Sequence, residues 1–266
     1  MKKLLISFVI SLMCVLPFTS SAFAMQNYTS NNTKGLDVSH WQGTISWSKV
    51  KKAGYLFTYI KAGGTTGNPT YADPMFKTNV ANAHAAGLSV GAYFYAAPTS
   101  PYNPLEAEQQ GMDFVNLMKG VMPYGYGDIQ PVLDFETSGG LTGTEQAEWV
   151  REFVNTVKGQ TGRQVMLYTA NYYMDNNGDF GGNGALADLP LWDSWLVRYT
   201  PNTPIPPNDG GWSTWTIWQY TDQGSVNGIT GYVDLDHGPA DLSTLRGYLT
   251  SQQQLDASNA ALAGLN

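Results

Sequence analysis

The feature that most restricts the fold is a regular alternation of short β-type runs with amphipathic helical runs. Strands are read at 35–38, 55–61, 89–95, 131–135 and 165–169, with helices between them at 46–52, 73–86, 104–119 and 144–158. A chain that returns to its sheet through a helix lays successive strands parallel, so this rhythm calls for a parallel sheet covered by helices. Further strand-like runs at 195–199, 214–220 and 232–235 bring the total to about eight, enough to close a single α/β domain into a distorted (β/α) barrel. Helices are lost after the fifth strand. Gly, Asn and Pro dominate 176–184 and 201–211, which read as long loops, and a last helix is expected over 241–249. The structural alternative is an open doubly wound sheet, but no Gly-x-Gly-x-x-Gly turn follows the first strand.

Local signals set the helix limits. Asp73-Pro74 offers a capping side chain ahead of a first-turn proline, and Thr144 with Gln146 and Glu148 gives a polar start to the fourth helix. Gly87 and Gly120 end the second and third helices, where φ must turn positive.

The chain ends read differently from its body. Lys2 and Lys3, an apolar run over 4–18 and the small-residue pattern Ala22-Phe23-Ala24 form a signal peptide, 1–24. A flexible leader over 25–33, a barrel domain over 34–250 and a polar C-terminal tail over 251–266 follow. No later stretch approaches the ~20 apolar residues of a membrane span, so a secreted protein, extracellular or periplasmic, is expected, with no membrane contact once the signal is cleaved. The single cysteine, Cys14, falls in the signal segment, which leaves the mature chain without disulfides, catalytic thiols or thiolate metal sites.

The formal charge is −7, and removing Lys2 and Lys3 leaves 12 basic against 21 acidic side chains, or −9. No cluster of Lys or Arg interrupts the acidity, which excludes nucleic acid as an expected partner. Aromatic residues make up 13% of the chain, as many as charged residues. Tyr and Trp in such numbers suit the stacking of sugar rings, although they also suit an ordinary core. A monomer without cofactors is expected.

The acids are the most informative side chains. Catalytic groups of such barrels gather at the carboxyl ends of the strands, where Asp37, Asp134, Glu136 and Asp234 fall. In Val132-Leu133-Asp134-Phe135-Glu136, a side-chain period of two puts Val132, Asp134 and Glu136 on one face and turns Leu133 and Phe135 toward the helices. Burial and a like-charged neighbour both raise a carboxyl pKa, so one member of such a pair can stay protonated while the other is ionised. Glycoside cleavage needs that division: one acid protonates the leaving oxygen and one carboxylate steadies the cationic sugar. His40, His84 and His237 show no metalloprotease spacing, no Gly-x-Ser-x-Gly elbow exists, and Asp234, Asp236 and His237 are a minor alternative as metal ligands.

Taken together these motifs resemble the glycoside hydrolase family 25 lysozymes, the Chalaropsis-type muramidases, from about 35 to 247. The resemblance is carried by Gly35-Leu36-Asp37-Val38-Ser39-His40-Trp41-Gln42-Gly43, Tyr59-Ile60-Lys61-Ala62, Tyr71-Ala72-Asp73-Pro74, Leu133-Asp134-Phe135-Glu136, Trp218-Gln219-Tyr220 and Val233-Asp234. It implies hydrolysis of the β-1,4 bond between N-acetylmuramic acid and N-acetylglucosamine, with peptidoglycan glycan strands as the partner. Glu136 would be the general acid/base and Asp134 would support the reacting sugar, by orienting its 2-acetamido group or in an inverting reaction. Asp37 and Asp234 would complete the acidic site. Lys61, Tyr93, Tyr95, Tyr168, Trp218 and Gln219 are the substrate-binding candidates. Gly63-Gly64 and Phe94 replace an acid and a histidine common in that family. A catalytically inactive glycan-binding protein and a hydrolase of chitin-like chains are the competing readings.

Overall fold

The computed structural model describes residues 25–66, 69–182, 184–200, 202 and 205–248, so the expected signal peptide and C-terminal tail lie outside the described residues. The strands are β1 (Thr33–Val38), β2 (Phe57–Gly64), β3 (Tyr71–Ala72), β4 (Ser89–Ala96), β5 (Val132–Phe135), β6 (Met166–Ala170), β7 (Leu191–Ser194), β8 (Ile217–Gly224) and β9 (Val233–Gly238). They pair in the order β1-β9-β8-β7-β6-β5-β4-β2, and a β1–β2 pairing closes the ring into an eight-stranded barrel, with β3 appended to β2. All ring pairings are parallel except the two made by β9, which runs antiparallel to β1 and β8.

Helices α1 (Trp47–Lys52), α2 (Phe76–Ala85), α3 (Pro104–Met118) and α4 (Gly143–Thr161) fill the expected crossovers. The start of α4 lies earlier than expected: Thr142 accepts from the Glu145 N–H while the Glu145 carboxylate takes the Thr142 N–H, a reciprocal cap that Thr144 does not provide. Among the described residues after β6, only α5 (Asn171–Asn176) and short 3₁₀ turns remain, as the loss of helices in the sequence suggests. Three expectations shift. The sixth ring strand is Leu191–Ser194, and 195–199 instead holds a 3₁₀ turn at Val197–Tyr199. The expected last helix is a 3₁₀ turn at Leu242–Arg246, too short to pack as a barrel helix. The stretch expected to be a flexible leader is pinned down. Met25 is buried with its N–H donated to the Pro206 carbonyl, and Gln26 exchanges hydrogen bonds with Trp215.

Alternation along each strand divides the core in two. Outward residues pack under the helices, where Phe94, Phe114, Phe153 and Trp149 form a run of rings with centroids 5.5–6.2 Å apart. The inward residues Phe57, Tyr59, Val132, Met166, Trp192 and Ile217 fill the barrel, with Leu245 of the last turn plugging its lower end. Large rings fit there because glycines face them. A Cβ on Gly35 would lie 2.0 Å from the Phe57 ring, and one on Gly91 2.3 Å from the Tyr59 ring.

That complementarity is testable. Gly35→Ala is expected to cost about 1–3 kcal/mol through overpacking, read from urea unfolding. Adding Phe57→Leu should recover part of the loss. An unchanged midpoint in Gly35→Ala would contradict the packing account.

Candidate active site

The rim formed by the carboxyl ends of the parallel strands opens into a cleft of roughly 1010 Å³. Asp37, Asp134, Glu136 and Asp234 all line it, together with Lys61, Tyr93, Tyr95, Tyr168 and Gln219. The strand β5 explains the central pair. Phe135 is held outward against Trp149, Phe180 and Tyr173 at centroid distances of 5.6, 6.0 and 6.2 Å, so Asp134 and Glu136 must face inward. Asp134 is buried at the cleft floor, whereas Glu136 lies just beyond the strand end and is partly open to the cleft. Asp234 reaches the same rim by an unexpected route. Because β9 is antiparallel, the acid sits at the start of its strand and pairs in register with Asp37.

Two candidates fall differently. Trp218 does not line the cleft: Gln219 faces inward, so Trp218 faces outward, and its Nε1 donates to the Trp195 carbonyl. The alternative metal set also fails to converge. Asp236 points inward to Trp192 Nε1 at 3.0 Å, while His237 is sandwiched outside between the Tyr28 and Tyr220 rings at 4.2 and 4.3 Å. Burial and Lys34 push His237 down to about 4.

A hydrogen-bonded chain fixes one wall. Gln219 Oε1 accepts from the Tyr168 hydroxyl at 2.9 Å and from Ser194 Oγ at 2.8 Å, which leaves Gln219 Nε2 to donate to Asp37 Oδ2 at 3.0 Å. The acids are otherwise crowded by their own kind. Burial and then the Asp234 and Asp236 charges hold Asp37 well above the usual carboxylate range. Burial followed by the Glu136 charge does the same to Asp134, and burial raises Glu136. The two share a hydrogen bond and titrate as a pair. Lys61 opposes these shifts; its ammonium lies over the rings of Tyr95, Tyr71 and Tyr93 at 4.9–5.8 Å. Asp234 is pushed up to about 6 by burial, then by Asp222 and Glu136.

Sequence reasoning missed several lining residues, among them Trp41, Tyr172, Trp192 and Asp222. Trp41 belongs to the motif after β1 and is 82% exposed at the cleft edge. Its 3₁₀ turn is anchored by Asp73, whose Oδ2 accepts the His40 N–H at 3.0 Å and meets His40 Nδ1 at 2.8 Å. Asp73 is thus more than the expected cap, although its Oδ1 does accept the Met75 N–H. Trp192 lies on β7, which its outward Asp193 conceals, whereas Tyr172 was within reach of the sequence as the second residue after β6. Asp222 was not. The alternation from Gln219 would turn it outward, but register shifts in β8 on either side of Thr221 insert extra residues and re-aim it. Arg198 caps the Asp222 carboxylate as an ion pair.

Comparison with known proteins agrees with this geometry. The family model described as glycosyl hydrolases family 25 matches residues 36–229. The chain is 36% identical over 212 residues to lysozyme M1 of Streptomyces globisporus, covering 77% of this chain and 67% of that protein. Among solved structures, the spore cortex lytic enzyme SleM of Clostridium perfringens superposes with a TM-score of 0.78 at 32% identity, over 83% of this chain and 71% of that one. The bacterial lysozyme of Streptomyces coelicolor gives a TM-score of 0.64 at 30% identity, over 88% of this chain and 100% of that one.

The raised Asp234 makes stability fall with pH. The folded state holds its proton more tightly than the unfolded chain, so its contribution is complete below the unfolded value of 3.8 and is lost as pH rises through about 6. Thermal melts from about pH 4 to about pH 7 should show a declining Tm, and Asp234→Asn should reduce that decline by up to roughly 3 kcal/mol. The same slope in both proteins would contradict the assignment.

Proposed function

This chain belongs to the glycosyl hydrolases of family 25, and from that premise we propose how its acids divide the work of cleaving a glycan. The protein is a lysozyme-type glycoside hydrolase acting on peptidoglycan. The bond cut, on this reading, is the β-1,4 link from N-acetylmuramic acid to N-acetylglucosamine. The observation that carries the reading is the inequality of the β5 pair. Glu136 is open to the cleft, whereas Asp134 is buried beside it with Oδ1 lacking any hydrogen-bond partner.

A partly exposed acid with a raised pKa can reach the glycosidic oxygen and give it a proton as the C1–O bond breaks. A buried carboxylate oxygen without a donor suits the N–H of the 2-acetamido group. Holding that group turns its carbonyl oxygen toward C1, where it closes an oxazolinium ring as the leaving group departs. Glu136, now ionised, takes a proton from the water that reopens the ring, and the configuration at C1 is retained. Asp37, fixed by Gln219, and Asp234 keep the cleft negative around the cationic sugar. Tyr93, Tyr95, Tyr168 and Trp41 offer faces and edges to the sugar rings. Lys61 steadies the pair electrostatically.

The basic start and apolar run at 1–24 support export, so that the enzyme meets the wall outside the cytoplasm. No described helix is long and apolar enough to cross a membrane.

Loss of turbidity of purified walls tests the division of labour. Glu136→Gln should lower the rate by about 10²–10⁴-fold, the usual contribution of a general acid. Asp134→Asn should also lower it, mainly in kcat, since substrate contacts elsewhere in the cleft persist. Mass spectrometry of products should find N-acetylmuramic acid at the new reducing ends. Equal activity of Glu136→Gln and wild type, or N-acetylglucosamine at the reducing ends, would overturn the assignment.

A further inference from the structure

A second group of acids lies apart from the cleft, among the loops that replace the late barrel helices. Asp175 closes in from α5, Asp179 from the turn after it and Asp209 from the loop before β8, and one carboxylate oxygen of each lies within 4.8 Å of the other two. The charges acting on Asp175 and Asp179 come from this cluster itself, and no Lys or Arg is among them. Acids brought together in this way are common on surfaces and would mean little alone.

What lies beneath them is different. Asp193, on the outward face of β7, is fully buried and neither of its carboxylate oxygens has a hydrogen-bond partner; the charge acting on it is that of Asp209. Its register partner on β6 is Thr169, whose buried hydroxyl is also unpartnered. Asn171, wholly buried at the start of α5, donates Nδ2 to Asp209 Oδ2 at 3.0 Å and leaves its Oδ1 without a donor. Asp179 Oδ1 is a further buried orphan, although its carboxylate also takes the Gly210 N–H. Several buried acceptors therefore crowd one place without donors. An unsatisfied buried polar group costs about 1–3 kcal/mol, and more when charged. A cation held by the three surface carboxylates would offset the negative charge gathered above these buried acceptors.

We propose that Asp175, Asp179 and Asp209 bind a divalent cation of the calcium class, with Asn171 and Asp193 supporting the site from below. The donors are all oxygens, which suits a hard cation rather than zinc or copper. Ligands on opposite sides of an ion bound at 2.3–2.6 Å stand about 5 Å apart, a span the three carboxylates match without rearrangement. Bound there, the ion ties α5 to the 205–212 loop. Since α5 carries Tyr172 into the cleft wall, the site braces one side of the active-site rim from outside it.

The full chain, stripped with EDTA and dialysed into metal-free buffer, is titrated with CaCl₂ by calorimetry and with Tb³⁺ by luminescence, which nearby Tyr172 and Tyr173 sensitise. One ion per chain is expected, with a Tm that climbs as free Ca²⁺ exceeds its Kd. Asp209→Asn and the exposed Asp175→Asn should each weaken binding at least tenfold, and Asp193→Asn should weaken it less. Glu136→Gln, in the cleft, should bind like wild type. Absence of stoichiometric binding, unchanged affinity in Asp175→Asn, or affinity lost in Glu136→Gln would each overturn the proposal. Asp175 lies at the surface, so its variant reports even if Asp209→Asn fails to fold.

Discussion

Everything at the mouth of this barrel follows from placing carboxylates where water is scarce. A closed ring of eight strands leaves its inward side chains no solvent except at the rim, so acids there must be paired, protonated or given hydrogen bonds. The protein uses each device in a different place. Asp37 receives an amide hydrogen bond from Gln219, Asp236 receives the indole N–H of Trp192, and Asp134 shares its proton with Glu136. Among the described lining residues, Lys61 is the one cation. Burial and mutual repulsion thus raise the acids' hold on their protons, the property an acid catalyst requires.

The scaffold spends its rigidity on keeping them there. Phe135 is locked among aromatic rings on the helical side, and that lock turns its two neighbours inward. Farther down, Phe57 and Tyr59 fill the barrel against glycines, so the floor under the cleft is solid. At the bottom, Arg163 donates to the carbonyls of Arg246 and Gly127 and lies 4.3 Å from the Tyr248 ring, fastening the closing turn. Catalysis at the top and cohesion at the bottom are separated by a layer of packed rings.

Much of this was legible in the sequence because it rests on periodicity. The first five ring strands and their helices repeat a pattern that local residue choice enforces, and the period of two alone sorted Asp134 and Glu136 from Leu133 and Phe135. What was not legible came from departures from period. Bulges in β8 re-aim Asp222, and the reversal of β9 brings Asp234 to the rim from the opposite direction. Strand β7 hid because Leu191-Trp192-Asp193-Ser194 carries an acid on its outer face, where a barrel strand normally buries an apolar residue. Trp218 looked like a sugar platform by type, but its parity puts it in the outer core. The polar stretch after residue 25 looked mobile by composition, but long-range contacts with Trp215, Pro206, His237 and Gly238 hold it.

Asp134 and Glu136 should hold a shared proton beyond the pH at which ordinary carboxyls lose theirs. Carboxyl ¹³C NMR on selectively labelled protein measures this directly, with Asp134→Asn and Glu136→Gln assigning the two signals. Two coupled steps are expected, the upper one well above the ordinary range of about 4, with a single simpler step for the remaining acid in either variant. Two independent titrations near that ordinary value, unchanged when the partner is replaced, would contradict it.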